Sequence, residues 1–239
     1  MGQPAIDASG VVSLQGKLGP IWVSSGVGCC NEIVDDYMVI STAAHNIYRP
    51  NTGPFFRSVR AVSTIGGKRY LLKVLRIILP EEWVSRGYLL MDIAFMIVRV
   101  PSNRKAAMAV HRPLWCIEVP EDEVYVVRNG VRTPRLSSAV QNFTISRCDV
   151  QAHADLLEAE CASSVGDSGA PWFVLKDQNL MQVSNTSFRK QSKLSSTIGP
   201  RWGGAVFQMF ERAKNVIIED DYKCLFETIG KRNDHDHST

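Results

Sequence analysis

Val165-Gly166-Asp167-Ser168-Gly169-Ala170-Pro171-Trp172-Phe173 sets a serine between two glycines and runs it into a proline and an apolar segment. Each neighbour has a chemical use if Ser168 is a nucleophile. Gly166 lets a backbone N–H come close to a substrate carbonyl, and Gly169 leaves room beside the reacting hydroxyl. Asp167 is placed to anchor the loop through a buried charge pair. A Gly-Asp-Ser-Gly turn between two strands also serves plain loop geometry, so the stretch needs independent support from elsewhere in the chain.

Two upstream segments supply it. Met38-Val39-Ile40-Ser41-Thr42-Ala43-Ala44-His45-Asn46 is an apolar strand that passes through small residues to one histidine, a setting for a crowded general base. Met91-Asp92-Ile93-Ala94-Phe95-Met96-Ile97-Val98 opens an otherwise uncharged strand with an aspartate. That acid is either a strand-end turn residue or the group that orients a histidine. In the order His45, Asp92, Ser168, with Thr-Ala-Ala-His, Asp-Ile-Ala and Gly-Asp-Ser-Gly around them, the chain resembles the chymotrypsin-like (trypsin-like) serine proteases. Subtilisins and α/β-hydrolases present the same residue types in other orders. The resemblance extends over about residues 10 to 218, with Gly203-Gly204-Ala205-Val206-Phe207 standing for a last strand and closing helix.

The resemblance implies an all-β fold of two six-stranded antiparallel β-barrels with a C-terminal helix. Residues 1–105 would form the first barrel, carrying His45 and Asp92, and residues 106–204 the second, carrying Ser168. Residues 205–239 would be a closing helix and polar tail. The apolar and alternating segments agree: Val11 to Leu14, Ile21 to Ser25, Tyr37 to Thr42, Val59 to Ser63, Tyr70 to Leu79 and Ile93 to Val98 read as strands. After the 101–105 connector come Val124 to Val127, Phe143 to Ser146, Trp172 to Leu175 and Met181 to Ser184. From Ala205 the period becomes helical, with Val206, Phe207, Phe210, Ala213, Val216 and Ile217 on one face. Tyr222 to Ile229 reads as a second short helix ending at Gly230. Residues 231–239 read as disordered, with His235 and His237 simply solvated.

Composition fits one enzyme-sized unit: 239 residues, 45% hydrophobic and 21% charged, with a mean hydropathy of -0.07. A net charge of +3 is too small to argue for nucleic acid. No apolar run approaches the roughly 20 residues that span a bilayer. The start, Met1-Gly2-Gln3-Pro4-Ala5-Ile6, has no basic segment or apolar signal core, and Ile6 spoils a myristoylation motif. A cytoplasmic setting, such as a virus-infected cell, is therefore the expectation over secretion.

Cys29, Cys30, Cys116, Cys148, Cys161 and Cys224 have no zinc-site spacing, so no metal is expected, and the mechanism needs no cofactor. Many secreted members of the family tie the strand before the histidine to the residue after it. Cys30 fills the first position here but Asn46 the second, so that bridge is missing. Cys148 with Cys161 is the pair to test, against an expectation of largely free thiols. Asn142-Phe143-Thr144 and Asn185-Thr186-Ser187 are glycosylation sequons by pattern, relevant only in a secreted chain.

Carried over to this sequence, the resemblance makes Ser168 the nucleophile, His45 its general base and Asp92 the residue that holds the imidazole. The backbone N–H groups of Gly166 and Ser168 would form the oxyanion hole. His111, His153, Asp35 and Asp36 are weaker rivals, in loop or hairpin-turn contexts. Ala170 stands where the family usually has a second glycine, which fits if its φ is negative. The interval from Asp92 to Ser168, 168 − 92 = 76 residues, is closer to bacterial and viral members than to animal digestive ones. There is no Ile-Val-Gly-Gly start, so Asp167 would pair with an arginine, with Arg128, Arg132, Arg135 and Arg147 all open.

For substrate binding, Ser184 would border the triad, Thr186 would narrow the primary pocket, and Ala162 near its base supplies no acid for Arg or Lys, unless Glu158 or Glu160 intervenes. The implied partner is a polypeptide substrate, and the oligomeric state stays open. Three readings follow: a serine endopeptidase, such as one released from a viral polyprotein; a catalytically silent homologue that binds a partner; and an esterase using the same triad.

Overall fold

A computed structural model describes residues 8–115, 123–129, 143–190, 195–215 and 226–229. The first half is built from β1 (Val11–Leu18), β2 (Ile21–Val34), β3 (Tyr37–Thr42), the two-residue ribbon β4 (Tyr48–Arg49) and β5 (Gly53–Pro54), β6 (Val59–Ile65), β7 (Lys68–Pro80) and β8 (Ala94–Arg99). Six of these pair in the order β7-β6-β1-β2-β3-β8, and β7 returns to β8, which closes a barrel. Closure is possible because β7 is long: residues 68–73 face β6, and after a register shift residues 74–78 face β8. The β2–β3 turn at Asp35–Asp36 has φ +51° at Asp35, matching the hairpin expected there.

The barrel is filled by alternate residues such as Val12, Leu14, Met38, Ile40, Ile77, Ala94, Met96 and Val98. Their neighbours Val39, Phe95 and Ile97 point out of it, yet are buried as well. The cover is α2 (Gly204–Lys214; the short α1, Glu81–Arg86, follows β7), whose Val206, Met209, Phe210 and Ala213 pack on them together with Trp202. Burial on both faces explains why 93–98 is an unbroken apolar run rather than an alternating one. Burying each large side chain contributes roughly 1.5–3 kcal/mol.

The second half contains β9 (Glu123–Asn129), β10 (Phe143–Ala152), β11 (Leu156–Ala159), β12 (Pro171–Lys176), β13 (Asn179–Asn185), β14 (Phe188–Arg189) and β15 (Thr197–Pro200). Their order is β13-β12-β9-β10-β11-β15-β14. Among the described residues no ladder joins β14 back to β13, so this sheet is a half-barrel and not the second closed six-stranded barrel expected. The serine loop extends the β12–β13 ladder past Pro171 and Asn185. Gly169 N–H donates to Thr186 O (2.7 Å) and Thr186 N–H donates to Ala170 O (2.8 Å).

Three further expectations change. Gly203-Gly204 lies outside any strand, and the last strand of this half is β15. Phe207 is 41% exposed, while Met209 takes the buried position. Phe226–Ile229 is a strand, β16, which runs parallel to β7 from Ile77 to Pro80 rather than forming a helix. Residues 216–225 and 230–239, with Val216, Ile217, Cys224, His235 and His237, lie outside the described residues, as do Cys116, Arg132, Arg135 and Asn142.

A further change concerns sulfur. Cys148 and Cys161 form a disulfide, with Cα atoms 5.7 Å apart, so the expectation of largely free thiols fails at this pair. Cys29 and Cys30 are free and buried, and burial pushes both thiols well above their ordinary pKa.

The halves meet across an apolar layer of Val11, Val27 and Cys29 against Tyr125, Val127, Ala170 and Phe173. Beside it runs a buried polar network. Asn31 Nδ2 donates to Gln182 Oε1 (2.7 Å) and to His111 O (3.0 Å), and Ser41 Oγ donates to Gln182 Oε1 (3.1 Å). His111 also lies against Phe173, with ring centres 4.7 Å apart. Fully partnered networks of this kind fix relative placement, and here they tie β2 and β3 to β13.

Candidate active site

β3 ends at Thr42, and a single 3-10 turn, Ala44–Asn46, carries His45. Ala43 and Ala44 are fully buried, which is why only small side chains fit before the histidine. Asp92 follows another 3-10 turn, Leu89–Met91, and its side chain is buried. The two residues meet at two points. His45 N–H donates to Asp92 Oδ1 (2.9 Å), and His45 Nδ1 lies 2.7 Å from Asp92 Oδ2. A carboxylate only accepts, so Nδ1 carries the proton and the neutral ring keeps a free lone pair on Nε2.

The His45 side chain is 35% exposed. Burial pushes its pKa down, but the hydrogen bond and the charge of Asp92 outweigh burial, and the net shift is upward. Asp92 Oδ2 also accepts the hydroxyl of Ser187, and Asn185 Nδ2 donates to the Asp92 carbonyl (3.4 Å).

Ser168 is docked onto the first barrel by its backbone. Its carbonyl accepts Val27 N–H (2.8 Å) and Asn46 Nδ2 (2.9 Å). Asn46 Nδ2 also donates to Thr42 Oγ1 (3.1 Å), which in turn donates to Val27 O (2.6 Å). The residue after His45 therefore holds the nucleophile candidate by hydrogen bonds, where a disulfide from Cys30 was missing. Gly169 has φ +81°, and a Cβ there would collide with Val27 O and Thr42 Oγ1, so this position admits only glycine. Ala170 has a negative φ and is buried, which is why the departure from glycine fits.

Asp167 is the internal anchor of the loop. Its buried carboxylate accepts Ser164 N–H (2.6 Å) and Asn129 N–H (2.8 Å), with Arg128 Nε at 3.9 Å. Of the four arginines open from sequence, the two among the described residues are Arg128, found here, and Arg147, which pairs with Glu123. Gly166 has φ +97°, and a Cβ there would meet nothing nearer than Asn129 Nδ2 at 3.8 Å. Among the described residues, the N–H groups of Gly166 and Ser168 have no intramolecular acceptor.

The remaining named residues sit as follows. Ser184 is buried and its hydroxyl donates to Pro200 O (2.8 Å). Thr186 is buried, with Oγ1 accepting from Trp172 Nε1 (2.9 Å). Ala162 is exposed on the loop after the disulfide. The hydroxyl that reaches Asp92 is that of Ser187, three residues beyond Ser184, and no local signal identifies it because the contact spans 95 residues. Glu158 is engaged by Lys190 Nζ (2.7 Å), by Ser196 Oγ and by His153 Nε2 (3.6 Å). Among the described residues no group of His, Cys, Asp and Glu could hold a metal ion, and no helix is long and apolar enough to cross a membrane.

Neither a family model nor a curated protein matches the sequence. Solved structures do match. A thermostable serine protease, AL20, from an extremophilic microorganism superposes with a TM-score of 0.71 at 15% identity, covering 88% of this chain and 99% of that one. The protease Anisep of Arthrobacter nicotinovorans gives 0.70 at 16% identity, covering 87% and 96%. A Glu endopeptidase gives 0.67 at 12% identity, covering 90% and 96%. At such identities the likeness is one of architecture: this chain has the chymotrypsin-like fold of the bacterial serine proteases.

Proposed function

We propose that this protein is a serine endopeptidase using Ser168, His45 and Asp92. The observation that carries the reading is the two-point clasp of His45 by buried Asp92, on a turn whose next residue, Asn46, holds the Ser168 carbonyl. Ser168 Oγ attacks a peptide carbonyl while His45 Nε2 takes its proton, and a C–O bond forms. The oxyanion is met by the open N–H groups of Gly166 and Ser168; removing one such donor typically costs about 2.7–4 kcal/mol of barrier. Collapse breaks the C–N bond as His45 returns the proton to the leaving amine. Water then repeats the steps on the acyl-enzyme, restoring Ser168 and releasing the new carboxyl terminus. Asp92 holds the tautomer and stabilises the imidazolium without taking the proton.

The substrate is a polypeptide. A polyprotein-processing role is supported by the compressed interval between Asp92 and Ser168. The cytoplasmic setting expected from sequence has the buried free Cys29 and Cys30 on its side, and the Cys148–Cys161 disulfide, a bond that persists in oxidising compartments, against it.

Fluorophosphonate labelling followed by peptide mapping tests the reading. Selective modification of Ser168, abolished in both Ser168→Ala and His45→Ala, is the expected result. Absence of labelling in folded protein would overturn it in favour of a silent homologue that binds a partner.

A further inference from the structure

We infer that Arg189 makes this protein select an acidic side chain on the amino side of the bond it cuts; the inference rests on the protease reading above. Ser187, Phe188 and Arg189 form one short extended segment. Its first residue touches Asp92 and its last reaches the loop leading to Ser168, where the Arg189 guanidinium donates through Nη2 to Ser163 O. β15 pairs alongside this segment. Arg189 faces Thr197 in the ladder, and Thr197 Oγ1 donates to Cys161 O (2.5 Å). On the protease reading a substrate residue beside Ser168 would lie between 162–164 and 187–189, which the contact of the exposed Arg189 with Ser163 O joins.

Among the described residues Arg189 has no carboxylate partner. The two buried acids among the described residues of this half are already engaged, Asp167 by two backbone N–H groups with Arg128 beside it, and Glu158 by Lys190 and Ser196. Ala162, Ser163 and Ser164 bring no acid. Arginine presents several N–H donors in a planar fork suited to a carboxylate, and one bond to Ser163 leaves the others available. A basic substrate side chain would meet like charge, and a neutral one would leave the guanidinium without a counter-charge.

The test uses fluorogenic peptides that differ only in Glu, Gln, Phe or Arg before the scissile bond. Wild-type protein is expected to favour Glu over its isostere Gln by about tenfold or more in kcat/KM. Arg189→Gln should bring that ratio close to one, and Arg189→Lys, which keeps the charge without the fork, should retain part of it. A wild-type preference for Phe or Arg, or a Glu/Gln ratio unchanged in Arg189→Gln, would overturn the inference while fluorophosphonate labelling of Ser168 still upheld the protease. If Ser168 does not label, calorimetric binding of product-like peptides ending in Glu or Gln to the wild-type protein reads the pocket without catalysis. Tighter binding of the Glu peptide that is lost in Arg189→Gln supports the inference, and equal affinities overturn it.

Discussion

Ser187→Ala removes one of the donors to a buried carboxylate and should shift the pH profile of the site. Asp92 Oδ2 is shared by the imidazole of His45 and the hydroxyl of Ser187. A hydrogen bond to an ionised group contributes roughly 1.5–3 kcal/mol. Without Ser187 the carboxylate leans harder on the imidazolium, and the His45 pKa, already raised, rises again. At about 1.4 kcal/mol per pH unit, the lower end of that range allows a shift of up to about one unit. In the proposed mechanism the base must be neutral to accept the Ser168 proton, so on that reading activity near neutral pH should fall by up to about tenfold and recover at alkaline pH. The assay is the rate of Ser168 phosphonylation from about pH 5 to about pH 9. Ser184→Ala is the control: its hydroxyl serves Pro200 O, so it should lower stability by about 1 kcal/mol without moving the midpoint. An unshifted midpoint in Ser187→Ala, or an equal shift in Ser184→Ala, would refute the reasoning.

Two predictions concern stability. Gly169→Ala should cost more than about 2 kcal/mol, since it adds left-handed backbone strain to a collision with the fixed Val27 carbonyl, whereas Gly166→Ala faces open space and should cost about 1 kcal/mol; urea midpoints compare them. Glu158 is 5% exposed, and the hydrogen bond from Lys190, then that from Ser196, lower its pKa from 4.5 to about 2. Because the folded value is depressed, the stabilisation is present above pH 4.5 and is lost as pH falls toward 2. Lys190 is 41% exposed, so Lys190→Met should remove only about 1–2 kcal/mol and flatten the dependence of unfolding free energy on pH across that window. An equally steep acid limb in the variant would count against the pairing.

What the chain reveals unaided is local. Alternation and turn residues mark the strands from 11 to 99, and Val206, Phe210 and Ala213 mark the face of α2, because side-chain period is a property of the backbone. The short motifs mark His45, Asp92 and Ser168 for the same reason: small residues, a strand-opening acid and flanking glycines are each needed within a few positions. Tertiary structure decided whatever depends on residues far apart. Ser187, not Ser184, meets Asp92 because a three-residue difference in register along an extended segment is invisible without its partner strand. Asn46 donates a hydrogen bond to the Ser168 carbonyl where the disulfide is missing, Arg128 lies beside Asp167 among the described residues, and Cys148 joins Cys161. Residues 226–229 became a strand because the edge of β7 beyond β6 offers unpaired backbone groups, and satisfying them outweighs a weak helical pattern. Pairing energies between distant segments are set by which groups meet in space, and sequence spacing alone carries no record of that.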